Sequence, residues 1–240
     1  MKKPVFLWLY GIHAALAAPA LPDVRAVEIV HETINGLDYS VQLVQTGDEA
    51  FNAEIAQRYC RSWYQGNQQE EARAACHRQS IAQTVAAEIQ QIRQEKQGHT
   101  GIKSFRQSFA FIGGQYLQIC DDDYNRNTFS GNQHRLSCAV YDATNHFVRR
   151  SERSIFDFLD EKQQEQFAAL LHANLPEEEI SKIVNIVLQR KQNDPQRVAV
   201  EITHYGNYGE LKRSNFDAPR SALAPIFPPD FLPAEKQKSL

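Results

Sequence analysis

The first regular pattern along the chain is an alternation of apolar and polar residues over 26–45, which predicts a β-hairpin. The Asn35-Gly36 pair at its centre suits the positive φ angles of a two-residue turn. In the second strand the apolar positions share one parity, which predicts one buried face: Leu37, Tyr39, Val41 and Leu43.

Two helices are predicted after this hairpin. Asp48 is suited to cap the first, whose apolar residues recur at every fourth position: Phe51, Ile55, Tyr59 and Trp63. The second helix follows the Gly66-Asn67 break, ends near Gly98 and carries one apolar stripe: Ile81, Val85, Ile89 and Ile92. Its other face is rich in Gln, Glu and Arg, so we expect that face to meet solvent.

A second strand-rich region follows the helices. We predict a strand over 102–112, a turn at Gly113-Gly114 and another strand over 115–120. A polar loop over 121–127 then leads to a strand over 135–141.

Two more helices and a last strand are predicted toward the C terminus. Asp160 and Gln163 have the spacing of a capping box at the start of one helix. Pro176 and the acidic residues after it suit the first turn of another. The apolar face of that helix would be Ile180, Ile183, Val184, Val187 and Leu188. The last predicted strand is 198–204, before a Pro-rich end.

The strands come in runs and do not alternate strictly with helices, which predicts an α+β fold with an antiparallel sheet and helices packed on one side. We predict a single domain over 21–227. It has a hairpin and a helical part at 24–98 and a strand-rich part at 99–227. A flexible tail is expected over 228–240.

Residues 1–20 contain the parts of a secretory signal peptide. Lys2 and Lys3 precede a short apolar run, and small residues suit cleavage after Ala17 or Ala20. The run is shorter than the roughly 20 apolar residues that a transmembrane helix needs. We therefore expect an exported chain without a transmembrane segment after signal removal. The periplasm is the predicted location, and secretion is the alternative.

Export makes the four cysteines candidates for disulfides, for which three full pairings exist. Cys60 and Cys76 lie symmetrically about the break between the first two helices, and Cys120 and Cys138 lie in two strands joined by a polar loop. We predict these two local disulfides. No C-x-x-C spacing occurs, which argues against a redox or zinc-thiolate site.

Composition limits the classes of function. The chain has 240 residues and a formal charge of -3, from 26 Lys+Arg and 29 Asp+Glu, whereas a general nucleic-acid binder would carry a basic surplus. A hydrophobic fraction of 42% suits a packed domain. We predict no nucleic-acid partner.

The polar loop is the best place to look for a metal. Asp121, Asp123 and Asn125 match the first alternating positions of an EF-hand loop, but Arg126 and Asn132 stand where Gly and Glu are needed. These three are weak metal candidates. The alternative is a hairpin loop whose side chains bond to their own backbone. Because no hydrolase, nucleotide or histidine-pair motif occurs, we assign no catalytic residue and no cofactor.

Tyr205 and Tyr208 are candidates for ligand contact, because they flank Gly206-Asn207 after the last predicted strand. Amphipathic aromatic rings on such turns are common anchors in recognition. The alternative is that both rings pack beneath the C-terminal segment.

Three segments of the chain, 130–134, 141–144 and 154–159, form a pattern together. They resemble the Gly-Gly-Ala-His segment, the Asn/Asp turn and the Asp-Leu-Phe step of the RsiV-like extracytoplasmic domain. A C-terminal set is similar in type and order: Tyr205, Tyr208, Phe216, Pro219, Ser221 and Leu223. Gln133 replaces the usual Ala, the tyrosine spacing is shorter, and both cysteine pairs are additions.

The resemblance implies a recognition module. In the family this domain occurs in anti-sigma factors that sense lysozyme and beside a deacetylase domain in a wall-modifying enzyme. We expect neither a membrane span with a sigma-binding part nor a deacetylase domain here. The expected function is a non-enzymatic exported domain that binds a protein or an envelope glycan, with a lysozyme-type protein as the most specific ligand. The predicted binding residues are Asn132, Gln133, His134, Tyr205 and Tyr208.

Two alternatives belong to other classes. One is a cell-envelope hydrolase or metal-dependent envelope-modifying enzyme, with Asp121, Asp123 and His134 around a metal or a water. The other is a structural or assembly protein whose Gln-rich second helix pairs with another chain.

Overall fold

Nine strands in two sheets make up the framework of the part of the chain that the computed structural model describes. That part comprises residues 22–63, 76, 78, 80–94, 100–127, 131–151, 155–178, 180–191, 193–207 and 210–233. The predicted signal peptide therefore lies outside the described residues. None of the helices within these ranges is long and apolar enough to cross a bilayer.

The larger sheet has six strands that neighbour one another in chain order. They are β1 (Val24–Ile34), β2 (Leu37–Thr46), β3 (Gly101–Ile112), β4 (Tyr116–Asn127), β5 (Gly131–Asp142) and β6 (Val148–Ser151). All neighbours are antiparallel except β2 and β3, which run parallel because the helical part of the chain connects them. The predicted hairpin turn is confirmed, since Asn35 and Gly36 have φ of 51° and 90°.

The smaller sheet is antiparallel and has three strands. They are β7 (Lys182–Arg190), β8 (Arg197–Tyr205) and β9 (Leu211–Pro219). Four α-helices complete the described part: α1 (Glu49–Trp63), α2 (Ile81–Gln94), α3 (Glu161–Asn174) and the short α4 (Arg220–Leu223). Two single 3-10 turns lie at Ile155–Phe158 and Pro229–Phe231.

The predicted helix starts at Asp48 and Asp160 are confirmed. Asp48 Oδ1 accepts a hydrogen bond from the backbone N–H of Phe51 at 2.9 Å. Asp160 and Gln163 form both bonds of a capping box, at 2.8 and 2.9 Å. Each cap satisfies backbone N–H groups that the first turn of a helix leaves unpaired.

Helices α1 and α2 cover one face of the six-stranded sheet. Tyr59 of α1 packs edge-on against Phe105 of β3, with ring centroids 5.0 Å apart, and Phe51 stacks on Phe147 at 4.1 Å. Val85 of α2 is buried in the same cluster as Tyr59 and Phe105. The predicted α+β fold with helices on one side of a sheet is therefore confirmed.

Both predicted disulfides are formed. Cys60–Cys76 joins the end of α1 to the segment before α2, and Cys120–Cys138 joins directly opposite residues of β4 and β5. All four cysteines are almost completely buried.

A second core lies between the three-stranded sheet, α3 and the C-terminal segment. It contains Phe167 of α3, Val200 of β8 and Phe227, each at most 1% exposed. Phe231 and Leu232 belong to the same core. The packed chain thus extends at least to Leu232, into the segment 228–240 that we predicted as a flexible tail.

The helix predicted from Pro176 is wrong, because the segment forms strand β7. Val184, Ile186 and Leu188 are buried and alternate with less buried residues, which is the period of a strand. The segment is also rich in Ile and Val, whose branched Cβ atoms favour strands over helices.

Two other boundaries differ from the prediction. The segment 121–127, predicted as a loop, continues β4, since its residues pair with both β3 and β5. Strand β8 is also not the last: the mostly polar β9 pairs with it. As an edge strand with one solvent-facing side, β9 lacks a strong apolar signal and ends at a proline.

Candidate functional site

The predicted binding residue His134 lies on the face of the six-stranded sheet opposite to α1 and α2. Asp121 of β4 contacts Arg58 of α1, so it points to the helix side. Successive residues of a strand point to opposite faces, which places Asp122 and Tyr124 on the other side. His134 pairs with Tyr124 across the ladder and shares its face.

Five residues on this face are in lateral register across five neighbouring strands. The row runs from His31 on β1 through Ser40, Ser104 and Tyr124 to His134 on β5. Since neighbouring strands lie about 4.8 Å apart, the row is about 19 Å long. Ser40 and Ser104 in the row are small, whereas His31 at one end and Tyr124 and His134 at the other carry rings. The row therefore forms a shallow trough.

Each end of the trough holds a histidine beside carboxylates. His134 Nε2 lies 2.7 Å from Asp122 Oδ1, and its ring meets Tyr124 edge-on with centroids 5.3 Å apart. At the other end, His31 Nε2 lies 3.1 Å from Asp38 Oδ1. These contacts fix the orientation of both imidazoles and leave part of each ring exposed.

The residues beside the row add apolar and cationic groups. Ile102 is 38% exposed, which makes it one of the two large hydrophobic side chains exposed among the described residues. Arg106 and Arg126 are exposed on the same face. We call this surface the open face: His31, Asp38, Ser40, Ile102, Ser104, Arg106, Asp122, Tyr124, Arg126 and His134.

The three-stranded sheet covers the remaining part of this face. Gln118 of β4 donates to Asn185 Oδ1 at 2.6 Å and to the carbonyl of Ile186 at 3.3 Å, both on β7. The Cys120–Cys138 disulfide lies between Gln118 and the open face along these strands. The trough is therefore bounded on this side by a cross-linked, packed region.

The other predicted residues of the β4–β5 hairpin are distributed differently. Gln133 is exposed and pairs with Asn125. Asn125 lies on the same face of the sheet as Asp121, the face that α1 and α2 cover. Asn132 pairs with Arg126 in the ladder. Only His134 of the three has described side-chain contacts on the open face.

The two predicted tyrosines are not part of the open face. Tyr205 is the last residue of β8, is half-buried and pairs with Lys182 and Leu211 in the smaller sheet. Tyr208 lies outside the described residues. The predicted set is thus divided between two sheets.

The weak metal candidates lie on strand β4, so the polar loop predicted over 121–127 is wrong. Asp121 Oδ2 accepts from Arg58 Nη2 at 2.6 Å and Oδ1 accepts from Gln107 at 2.9 Å. Within the described ranges, no three His, Cys, Asp or Glu side chains are grouped so that they could hold a metal ion. Asp121 and Asp123 point to the helix side and His134 to the opposite side. These three side chains therefore do not converge on one metal or water.

Asp123 is a half-buried acid on the helix side of β4, opposite to the open face. Burial raises the pKa of its carboxyl from 3.8 to about 6, although Arg135 and Lys103 oppose that shift. Lys103 is itself paired with Glu88 of α2, which also accepts from the hydroxyl of Tyr39 at 2.9 Å. The helix side of β4 thus contains an acid that titrates under mildly acidic conditions.

We expect Asp123→Asn to stabilise the protein by about 1 kcal/mol at pH 7.5, because solvent screens part of the cost of the half-buried charge. The folded state holds this proton more tightly than the unfolded state. Protonation of Asp123 therefore stabilises the folded wild type fully below pH 4, and this stabilisation is lost as pH rises through about 6. Thermal unfolding at pH 4 and 7.5 checks this: the variant should melt about 2–4 °C higher at pH 7.5 only. Equal differences at both pH values would contradict it.

Most of the open face was not identified from the sequence. His31, Asp38 and Ser40 occupy polar positions of the predicted hairpin, for which we predicted no role, and Tyr124 fell in the predicted loop. The period-2 pattern of Asp38 and Ser40 indicated a common face. Nothing local, however, indicated that β2 would pair with β3.

Comparisons with solved structures find chains to which this chain is similar, among them two DUF3298 family proteins. No family model and no curated protein matches the chain. A DUF3298 family protein from Pseudomonas aeruginosa PAO1 has a TM-score of 0.49 and 13% identity, over 89% of this chain and 95% of that chain. A member of the DUF3298 family from Bacteroides fragilis NCTC 9343 has a TM-score of 0.47 and 9% identity, over 84% and 92%. At these values neither likeness assigns a function.

Proposed function

We propose that this protein is a non-enzymatic binding domain that is exported to an oxidising compartment and recognises a protein or cell-envelope ligand on its open face. The two buried disulfides indicate the oxidising compartment. The signal-like residues 1–20 favour export, with the periplasm as the destination and secretion as the alternative. The observation that carries the proposal is the row of side chains from His31 to His134, whose ring-bearing ends are exposed or half-exposed and whose two serines lie buried between them.

The chemistry of the open face suits recognition of another macromolecule. Tyr and Arg are enriched among residues that dominate binding energy, and Tyr124, Arg106 and Arg126 bring them together. The exposed Ile102 supplies apolar contact beside them. The His134–Asp122 pair holds a hydrogen-bonding ring in place, so little conformational entropy is lost on binding.

A lysozyme-type protein is the most specific ligand that we propose. Two features support it: the sequence resemblance to the RsiV-like domain, and the formal charge of -3, which favours a cationic partner. The loss of Lys2 and Lys3 with the signal would make the mature chain more acidic. Asn132, Gln133, Tyr205 and Tyr208 remain proposed contacts of the same ligand.

The decisive experiment measures retention of a lysozyme and of purified envelope material by the immobilised, oxidised mature protein. We expect binding at micromolar concentration and at least tenfold weaker affinity in Tyr124→Ala/His134→Ala, a loss of about 1.4 kcal/mol. Lys162→Ala, at an exposed position of α3, should bind like the wild type.

Tyr205→Ala separates the two groups of predicted residues. Unchanged affinity in this variant, together with loss in the double variant, would place recognition on the open face. If only Tyr205→Ala loses affinity, the recognition surface lies on the smaller sheet instead. Failure of the wild type to retain either partner would contradict the proposal.

A further inference from the structure

A cavity of about 500 Å³ lies between the 3-10 turn Ile155–Phe158, helix α3 and the start of β7. None of its lining residues belongs to the open face. Its volume lies within the range of small-molecule sites, about 300–1,000 Å³. The cavity is open to solvent on one side, so a ligand could enter without rearrangement of the core.

The floor of the cavity is apolar. Leu171 is 4% exposed, and the half-buried side chains beside it are Phe156, Leu175, Ile180 and Ile183. The one hydroxyl in the lining, that of Ser181, already donates to the backbone carbonyls of Tyr205 or Gly206, at 2.9 and 3.0 Å. The floor thus offers hydrophobic contact and no unsatisfied hydroxyl donor.

The mouth of the cavity carries two acids that already have partners. Asp157 Oδ2 accepts from the hydroxyl of Ser151 at 2.9 Å. Glu178 Oε2 lies 3.9 Å from Nε2 of His204, a residue that is completely buried beneath this wall. Asp157 is therefore hydrogen-bonded within the protein, whereas Glu178 has an ionic contact with His204 only when that ring is protonated.

The two basic side chains at the mouth are available for contact with a ligand. Lys182 and His172 are both exposed, and neither has a hydrogen-bond or ion-pair partner within the described ranges. Lys182 contributes a full positive charge and His172 a ring donor. The interaction that the mouth still lacks is thus one with an anion.

We propose that this cavity binds an amphiphile with a hydrocarbon body and a carboxylate head, that is, an alkyl carboxylate. The hydrocarbon lies on Leu171, Phe156 and Ile183, and the head lies at Lys182 and His172. Apolar burial supplies the affinity: each added methylene within the cavity strengthens binding roughly fourfold. The site is independent of the open face and of its ligand.

The test is calorimetric titration of the oxidised mature protein with octanoate, decanoate and dodecanoate, each below its critical micelle concentration. We expect affinity to rise with chain length and to reach the micromolar range. Dodecyltrimethylammonium, which has the same chain and the opposite charge, should bind at least tenfold more weakly. Equal or tighter binding of the cationic probe would overturn the carboxylate assignment.

Two variants locate the site. Lys182→Gln should weaken dodecanoate about three- to tenfold and leave the neutral probe dodecyl maltoside unchanged. Ala168→Phe places a ring at the mouth from an exposed helical position and should weaken all probes at least tenfold. Ala169→Phe is the matched control: it is exposed on the same helix, does not line the cavity and should bind like the wild type.

Several outcomes would overturn the proposal. The first is that none of the three carboxylates binds, and the second is that Ala168→Phe and Ala169→Phe lose equal affinity for the probes. The third is a fall in the melting temperature on addition of dodecanoate, which would indicate a detergent effect. If no probe binds but Ala168→Phe abolishes capture of a protein partner, the cavity receives a side chain of that partner. That result would also exclude the alkyl carboxylate.

Discussion

Arg58→Met is expected to lower the free energy of unfolding by about 3–5 kcal/mol, because it leaves the carboxylate of Asp121 buried without its cation. The two side chains are 8% and 3% exposed and are joined by a 2.6 Å charge-assisted hydrogen bond. Asp121→Asn should cost a similar amount, since the guanidinium then loses its anion. Urea unfolding of each variant measures the loss.

The pair is embedded in a hydrogen-bonded network between α1 and the sheet. Gln107 donates to Asp121 at 2.9 Å and accepts from the backbone N–H of Val44 at 3.0 Å, which links β2, β3 and β4. Arg58 also donates to the hydroxyl of Tyr141 at 3.3 Å. Burial disfavours the guanidinium charge, but Asp121 and Tyr141 outweigh burial and raise the pKa of Arg58. Breaking the pair therefore affects four strands, β2 to β5, and helix α1 together.

A matched surface pair is the control. Arg93 and Glu32 are 2.8 Å apart, but their side chains are 58% and 34% exposed, so Arg93→Met should cost less than about 1 kcal/mol. The double variant Arg58→Met/Asp121→Leu should lose less than the sum of its single variants, because it leaves no uncompensated charge. Similar losses for Arg58→Met and Arg93→Met would show that the buried pair has no special role.

Local sequence signals predicted the elements that depend on neighbouring residues. The Asn35-Gly36 turn, the caps at Asp48 and Asp160, and the Cys120–Cys138 pairing are each set by contacts within a hairpin or a helical turn. These interactions form over a few residues and have the same geometry in most folds. The sequence was therefore informative about them.

Strand β7 shows where local patterns are ambiguous. Pro176 and the acids after it are helix-start signals, and the apolar spacing of 180–188 fits one helical face as well as a strand. The branched residues and the pairing with β8 decide for a strand. Because that pairing is a tertiary contact, the helix-start signals carried too much weight in the prediction.

The open face illustrates the same limit for function. His134 was selected from its sequence context, but its row is completed by His31, Ser40 and Ser104, more than twenty residues away in the chain. That register depends on the parallel pairing of β2 with β3 across the helical connection. No local period encodes such a pairing, so the site could be predicted only in part.

Loss of both disulfides is the other change for which we expect a large effect. Cys60–Cys76 and Cys120–Cys138 have sequence separations of 16 and 18, and closing loops of this length stabilises a protein by about 3 kcal/mol each in the chain-entropy model. Cys60→Ala/Cys76→Ala and Cys120→Ala/Cys138→Ala should each lose about 2–4 kcal/mol. The quadruple variant should lose a large fraction of the roughly 5–15 kcal/mol typical of a domain.

The two bonds restrain different parts of the fold, so their losses should add. Cys60 and Cys76 lie in the core under α1 and α2, whereas Cys120 and Cys138 hold β4 to β5 between the open face and the smaller sheet. Urea midpoints of the three variants, with and without a phosphine reductant, measure this. The reductant should shift the wild type to the midpoint of the quadruple variant and leave that variant unchanged. A reduced wild type that unfolds at its oxidised midpoint would show that neither bond stabilises the fold, and the argument for an oxidising compartment would fail with it.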